Sequence, residues 1–111
     1  MNLISPVREI NWTQSEKKIA RRVFESALSR QLASITARTK QMLEDDSADV
    51  WAVHDYLTQQ RKEIDRVYDY RYSMLIFVFA RLLRDGWVRE SDLDGLSREK
   101  VNEIQHIARI R

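Results

Sequence analysis

Glycine and proline are scarce in this chain, and their scarcity constrains the fold more than any other feature. The 111 residues include two glycines and one proline, and none of the three lies between residues 7 and 85. An all-β fold needs many tight turns, which these residues usually supply. Hydrophobic residues make up 43% and charged residues 32% of the chain, a balance typical of helical proteins. We therefore predict one all-α domain spanning residues 1–111.

The spacing of apolar residues predicts a first long helix over residues 13–43. Thr13 and Glu16 form a capping-box pattern, in which each side chain accepts a hydrogen bond from the other residue's backbone N–H at a helix start. Apolar residues then recur every three or four positions, which places them on one helix face. They are Ile19, Ala20, Val23, Phe24, Ala27, Leu28, Leu32 and Ile35. We expect residues 1–12 to form an irregular arm before this helix.

A second apolar stripe predicts another long helix over residues 48–85. The acidic sequence EDDS at 44–47 forms the expected turn before it. Polar residues interrupt the stripe at 69–71 and mark a place for a kink, and Gly86 suits a left-handed C-cap. Short helices at 91–110 then form a small C-terminal head.

Helix length indicates that the chain pairs with a second copy. At about 1.5 Å per residue the two long helices would measure about 45 and 57 Å. A compact domain of this size is only about 30 Å across, so one pair of helices leaves much of each stripe in water. We therefore predict a homodimeric helical bundle with four long helices.

Composition argues against several classes of function. The net charge is +2 with both signs mixed along the chain, so we predict no nucleic-acid partner. There is no cysteine, and the two histidines lie too far apart for a local metal motif, so no metal or other cofactor is expected. The longest apolar run, 74–80, is too short to span a membrane. The N-terminus lacks a signal-peptide pattern, which favours a cytoplasmic protein without membrane insertion.

A polar cluster on the second helix is the first candidate site. Trp51, His54 and Asp55 share a helix face, and Arg61 lies two turns further on. Adjacent helix residues diverge by about 100°, so Asp55 is badly placed to orient His54 for catalysis. The chain also has no nucleophile-elbow, phosphate-loop or zinc-protease motif, so we predict that it is not an enzyme. Two roles stay open: ion pairing across a dimer interface, and contact with a partner protein.

The apolar run MLIFVFA at 74–80 is the second candidate site. Phe77 and Phe79 project about 200° apart on a helix, so burial of both requires cover on two sides. Either the C-terminal helices supply that cover, or part of the run is a patch for a partner. For Arg71, we expect a buried guanidinium paired with a nearby acidic residue.

The central residue pattern resembles the fluorescence recovery protein family. The matching segments are Trp51-x-x-His54-Asp55-x-Leu57, Arg61-x-Glu63-Ile64-Asp65, Tyr68-Asp69-x-Arg71-x-Ser73, Ile76-Phe77-Val78-Phe79, Leu82-Leu83 and Gly86-x-Val88. A sparser match continues upstream in Trp12, Gln14, Glu16, Ala20, Phe24, Ala27, Arg30 and Leu32.

This resemblance implies an all-helical homodimer that binds the photoactivated orange carotenoid protein. Such a protein speeds the return of the carotenoid protein to its resting orange form, which ends photoprotective quenching at the phycobilisome. By position, Trp51, His54, Asp55 and Arg61 resemble the family's polar cluster at the dimer and docking surface. Phe77 resembles the aromatic residue of its head region.

One residue of the last helix departs from the family pattern. Glu103 aligns where the resemblance implies a basic residue that faces the partner. A charge reversal at a contact weakens docking to an acidic surface. The alternative function is therefore a dimeric helical protein of the same fold with another, non-photosynthetic partner, in a regulatory or scaffolding role.

Overall fold

The computed structural model describes residues 11–110, which form four α-helices and no β-strand. The predicted all-α fold is therefore confirmed for this part of the chain, and most of the predicted arm at 1–12 lies outside it. Helix α1 spans Gln14–Glu44, α2 spans Val50–Val67, α3 spans Leu75–Asp85 and α4 spans Arg98–Arg109, with a short 3-10 helix at Glu90–Leu93.

The predicted capping box is present at the start of α1. Thr13 Oγ1 accepts a hydrogen bond from the backbone N–H of Glu16 at 3.0 Å, and Glu16 Oε1 accepts one from the N–H of Thr13 at 3.1 Å. Each bond satisfies a backbone donor that has no partner inside the helix. Local sequence therefore determines where α1 begins.

The same glutamate also joins the start of α1 to the start of α4. The Oε2 atom of Glu16 accepts from the backbone N–H of Ser97 at 2.8 Å, and its Oε1 atom lies 3.1 Å from Lys100 Nζ. Burial alone would raise the pKa of this carboxyl, but the hydrogen bonds from Ser97, Thr13 and Lys100 outweigh burial and lower its pKa. Glu16 is thus a buried, ionised link between two helices.

The prediction of one continuous helix over residues 48–85 is wrong. Two helices, α2 and α3, occupy this range, and residues 68–74 between them are not helical. The break includes the polar positions 69–71, where the apolar stripe is interrupted.

Contacts with α1 explain why the chain leaves the helical path there. Tyr68 and Tyr70 both pack edge-on against Phe24 of α1, with ring centroids 5.3 and 4.9 Å away. The Tyr68 hydroxyl also donates to Gln31 Oε1 at 2.8 Å. Packing both rings on one aromatic residue stabilises an irregular backbone that helix propensity alone would not produce.

Arg71 lies in this break and is exposed, so the expectation of a buried guanidinium is wrong. The predicted acidic partner is present: Arg71 Nε donates to the two carboxylate oxygens of Asp69 at 2.9 and 3.0 Å. The hydrogen bond from Arg71 holds the pKa of Asp69 below its ordinary value. Arg71 reaches water because it lies on an irregular segment instead of on the apolar face of a helix.

The main core lies where residues 75–110 pack against the first half of α1. We call this range the head; it adds α3 to the predicted C-terminal head at 91–110. Gly86 ends α3 at φ 89°, as predicted, and the N–H groups of Trp87 and Val88 donate back to the Leu82 carbonyl at 2.9 and 3.1 Å. Gly95, at φ 101°, lies so close to Ile19 that a side chain there would clash with it. The buried hydrophobic residues of this core are Trp12, Ala20, Val23, Ala27, Leu75, Ile76, Val78, Phe79, Ala80, Leu82, Val88, Leu93, Leu96 and Ile104.

The rest of α1 and α2 extends away from this core as a two-helix stalk, residues 32–67. Within this range Val53 is the single buried hydrophobic residue. The molecule measures 62 × 26 × 22 Å with a radius of gyration of 17.2 Å, against about 13 Å for a compact chain of about 100 residues. The stalk therefore carries its apolar stripe largely in water.

Candidate functional site

An apolar groove runs between α1 and α2 along the stalk. It has a volume of about 410 Å³, and two of its leucines, Leu32 and Leu57, are 47% and 40% exposed. Neighbouring exposed leucines in a groove make this surface a candidate contact site for another protein chain. We call it the stalk groove; its lining residues are Leu28, Leu32, Ile35, Leu57, Gln60, Arg61, Ile64 and Asp65.

Two charged residues lie at the rim of the stalk groove. Arg61 Nε is 3.8 Å from Asp65 Oδ2, a distance longer than a hydrogen bond, and both side chains are mainly exposed. An exposed pair of this kind contributes little to the stability of the folded chain. Its donors and acceptors therefore stay available to another molecule in the groove.

Trp51, His54 and Asp55 lie on the exposed side of α2, as the helical spacing predicts. Trp51 is 72% exposed, and its ring meets the His54 ring edge-on with centroids 6.3 Å apart. His54 Nδ1 is 3.7 Å from Asp55 Oδ1, beyond hydrogen-bond reach, and both side chains are largely exposed. The geometry fits a recognition surface better than a pair of groups built for proton transfer.

A second groove connects this cluster to the first. It has a volume of about 420 Å³ and is lined by His54, Leu57, Thr58, Arg61 and Lys62. Leu57 and Arg61 line both grooves. The structure therefore brings His54 and Arg61 together on one recessed surface of α2, while their roles in binding stay a prediction.

Phe77 lies apart from this surface, on the head. Phe79 is fully buried, whereas Phe77 is 53% exposed. The C-terminal helices thus cover one side of α3 and leave the other side open. Phe77 borders a shallow pocket of about 160 Å³, which it shares with Ala80, Arg81, Arg84, Ile107 and Ala108. None of these residues lines the stalk groove or the second groove.

Two ion-pair clusters that were not predicted from the sequence connect α3 to α2 and connect α1 to the segment after α3. Arg81 donates to Glu63 of α2 and to Asp85 of α3, each at 2.8 Å. Arg30 of α1 donates to Asp92 at 2.7 Å and to the Trp87 carbonyl at 2.9 Å, and its hydrogen bond lowers the pKa of the Asp92 carboxyl.

A signal for each cluster was present in the sequence. Arg81 and Asp85 stand four residues apart on one helix face, the usual spacing of a helical ion pair. Arg30 belongs to the upstream pattern that resembles the family. Only the tertiary structure supplies the distant partners, Glu63 and Asp92.

Residues 11–110 contain no cluster of acidic and histidine side chains suited to hold a metal ion. In the same part of the chain, no helix is both long and apolar enough to cross a membrane. The chemistry of the surfaces is that of exposed apolar, aromatic and charged side chains, which points to recognition of another macromolecule.

Comparison with known proteins identifies the family of this fold and surface. The solved structure of the fluorescence recovery protein from Fremyella diplosiphon matches with a TM-score of 0.82 and 33% identity, covering 89% of this chain and 99% of that one. The structure from Synechocystis gives the same TM-score and coverage with 37% identity. In sequence, the Synechocystis fluorescence recovery protein is 39% identical over 106 residues, which is 92% of this chain and 95% of that protein.

A family model described as photoprotection regulator fluorescence recovery protein matches residues 12–108, which include α1 to α3, all but the last residue of α4, and both candidate surfaces. The chain belongs to the fluorescence recovery protein family of photoprotection regulators.

Proposed function

We propose that this protein binds the photoactivated form of the orange carotenoid protein and accelerates its return to the resting orange form. The observation that carries the proposal is the extent of the family match, which includes residues 12–108 and so nearly the whole helical body. The return step makes and breaks no covalent bond. The protein therefore acts as a conformational catalyst, not as an enzyme, and must bind the conformation between the two states more tightly than either state.

The active unit in this proposal is a homodimer. The stalk exposes Leu32 and Leu57 along an apolar groove. Burying an apolar surface stabilises an assembly by about 25 cal/mol per Å². A second copy laid along the groove completes the hydrophobic core that the stalk lacks, as two helical hairpins do in a four-helix bundle.

The polar cluster lies beside this dimer interface in the proposal. Arg61 and Asp65 are held only loosely within one chain, at 3.8 Å, so each is able to pair with the other copy. Trp51 is a large, exposed aromatic residue of the kind that provides much of the energy at protein interfaces. We assign Trp51, His54, Asp55 and Arg61 to the dimer and docking surface.

Phe77 provides a separate contact on the head. Its half-exposed ring borders one pocket with Arg81 and Arg84. Glu63 and Asp85 balance the charge of these two arginines, so the apolar ring is the main feature that the pocket offers to a partner. In this proposal the protein works in the cytoplasm, where phycobilisomes lie.

The test measures dark recovery of the orange carotenoid protein. The receptor is photoactivated, the light is removed, and absorbance of the orange form is followed with and without the purified chain. We expect acceleration, which Trp51→Ala or Arg61→Ala reduces and Arg38→Ala, on the exposed side of α1, does not. No acceleration by the unmodified chain at saturating concentration would contradict the proposal and favour a different protein partner.

A further inference from the structure

We propose that the exposed side of the first turns of α1 is a second interaction surface, which binds an acidic peptide segment of a partner protein. Four cationic residues, Lys17, Lys18, Arg21 and Arg22, lie within two consecutive helical turns. We call them the cationic band. The band does not depend on the identity of the receptor, because the argument for it uses only local geometry and charge.

The band faces away from the protein core. Ala20, Val23 and Ala27 are buried on one side of α1. At about 100° per residue, Lys18 and Arg22 lie on the opposite side of the helix, and Lys17 and Arg21 lie on the flank next to the segment between α2 and α3. Lys18 and Arg22 are exposed, and Lys17 is partly exposed. The band is therefore open to a macromolecular partner.

Tyrosine rings from the segment between α2 and α3 hold two of these cations. Arg21 Cζ lies 4.1 Å from the centroid of the Tyr70 ring, and Lys17 Nζ lies 5.2 Å from that of Tyr72. The negative face of an aromatic ring attracts a cation and restricts its side chain. A guanidinium held over a ring still has N–H donors at its edge for a carboxylate. Because the Lys17 and Arg21 side chains are already restricted, they lose less conformational entropy when a partner binds.

Acidic side chains within the described part of the chain do not neutralise the band. Glu16 precedes it, but its carboxylate is buried and bonded to the start of α4. Glu25 approaches Arg21 at 3.9 Å, which is beyond a hydrogen bond. Lys17, Lys18 and Arg22 make no ion pair with any of residues 11–110.

The dimensions favour an acidic peptide over a nucleic acid. The band extends about 8 Å along the helix axis, at about 1.5 Å per residue. Alternate residues of an extended peptide lie about 7 Å apart, so two carboxylates fit along it. A nucleic acid binds tightly through about six to ten phosphate contacts. The band has four cations, which is fewer than these contacts require, and the acidic Glu25 follows it along the helix.

The band is also distinct from the surfaces described above. The stalk groove uses Leu28, Leu32 and Ile35 of α1, which lie further along the helix. A second copy in that groove therefore leaves the band available.

The test compares two variants that remove the same charge from the same helix. Lys17→Gln with Arg21→Gln removes two cations from the band, and Arg38→Gln with Lys40→Gln removes two exposed cations from the far end of α1. The probe is a fluorescein-labelled dodecapeptide of alternating glutamate and glycine, and fluorescence anisotropy gives its affinity at several salt concentrations. We expect the first pair to weaken binding about tenfold, and the second pair less than about twofold.

A third variant separates the arrangement of the band from its charge. Tyr72→Leu keeps all four cations but removes the ring beneath Lys17. We expect it to weaken peptide binding about threefold, with circular dichroism checking that the helices are retained. Three results would overturn the proposal: no binding of the probe, equal losses in the two charge-matched pairs, or tighter binding of a duplex DNA than of the peptide. None of them bears on the dark-recovery assay, so the two proposals fail separately.

Discussion

Tyr68, which directly follows α2, donates a hydrogen bond of 2.8 Å to the buried side chain of Gln31 on α1. Burial, with a smaller contribution from the nearby Asp85 carboxylate, raises the pKa of Tyr68 to about 12. The phenol therefore keeps its proton, and remains a donor, throughout the physiological pH range. This bond fixes the point at which the chain leaves α2 and turns toward the head.

Removing the Tyr68 hydroxyl should destabilise the fold. In Tyr68→Phe the buried Gln31 side chain loses its partner, which should lower the free energy of unfolding by about 1–2 kcal/mol. Urea denaturation measures the change, and Tyr56→Phe, a partly exposed tyrosine of α2, is the matched control. Equal losses in the two variants would mean that the bond to Gln31 does not stabilise this junction.

The Glu16 link predicts a loss of stability in acid. Its carboxyl pKa lies below the ordinary 4.5, so its contribution is fully present above about pH 4.5 and is lost as the pH falls through the lowered pKa. Glu16→Gln should reduce the free energy of unfolding by about 2 kcal/mol at neutral pH. It should also flatten the acid dependence, unlike the control Glu44→Gln at the exposed end of α1. An unchanged acid profile in Glu16→Gln would rule out this carboxylate as the cause.

How much of the fold was predictable depends on the distance along the chain over which each interaction acts. The capping box of Thr13 and Glu16 and the left-handed cap at Gly86 need only neighbouring residues, and both were predicted. The break after α2 depends on Tyr68 reaching a residue 37 positions earlier. The bond from Ser97 to Glu16 joins residues 81 positions apart. Contacts between residues so far apart along the chain cannot be read from a local sequence pattern.

The same distinction applies to the candidate site. Helical geometry alone put Trp51, His54 and Asp55 on one face, and the edge-on contact between the Trp51 and His54 rings agrees with that placement. The absence of catalysis stays a prediction. The exposure of Phe77 was left open, because it depends on which side of α3 the last helix covers. Arg71 was expected in the core because the sequence does not show that residues 68–74 leave the helix.

A charge placed in the stalk groove should separate the proposed dimer. Leu57→Glu introduces a carboxylate into an apolar groove, where burial of an unpaired charge is strongly unfavourable. Gln59→Glu adds the same charge to an exposed position of α2 outside the grooves. Light scattering should give twice the chain mass of 13.3 kDa for the unmodified protein and for Gln59→Glu, and one chain mass for Leu57→Glu. A dimer in all three would mean that copies associate elsewhere.

Charge on α4 should tune docking to the receptor. Glu103→Lys introduces the basic residue that the family resemblance implies at this position. If the receptor presents an acidic surface there, the change should tighten binding about threefold. Glu99→Lys in the first turn of the same helix is the control for net charge. Titration with labelled, photoactivated orange carotenoid protein measures both, and equal gains would show a general charge effect in place of a contact at Glu103.

The most direct test of the proposed function is the dependence of the dark-recovery rate on the amount of this protein. A conformational catalyst is released after each event, so a small fraction of one chain per receptor should accelerate recovery of the whole receptor population, and the rate should then saturate. Acceleration below one chain per receptor is the predicted result. Recovery at the unassisted rate, even with the chain at saturating concentration, would contradict the proposal.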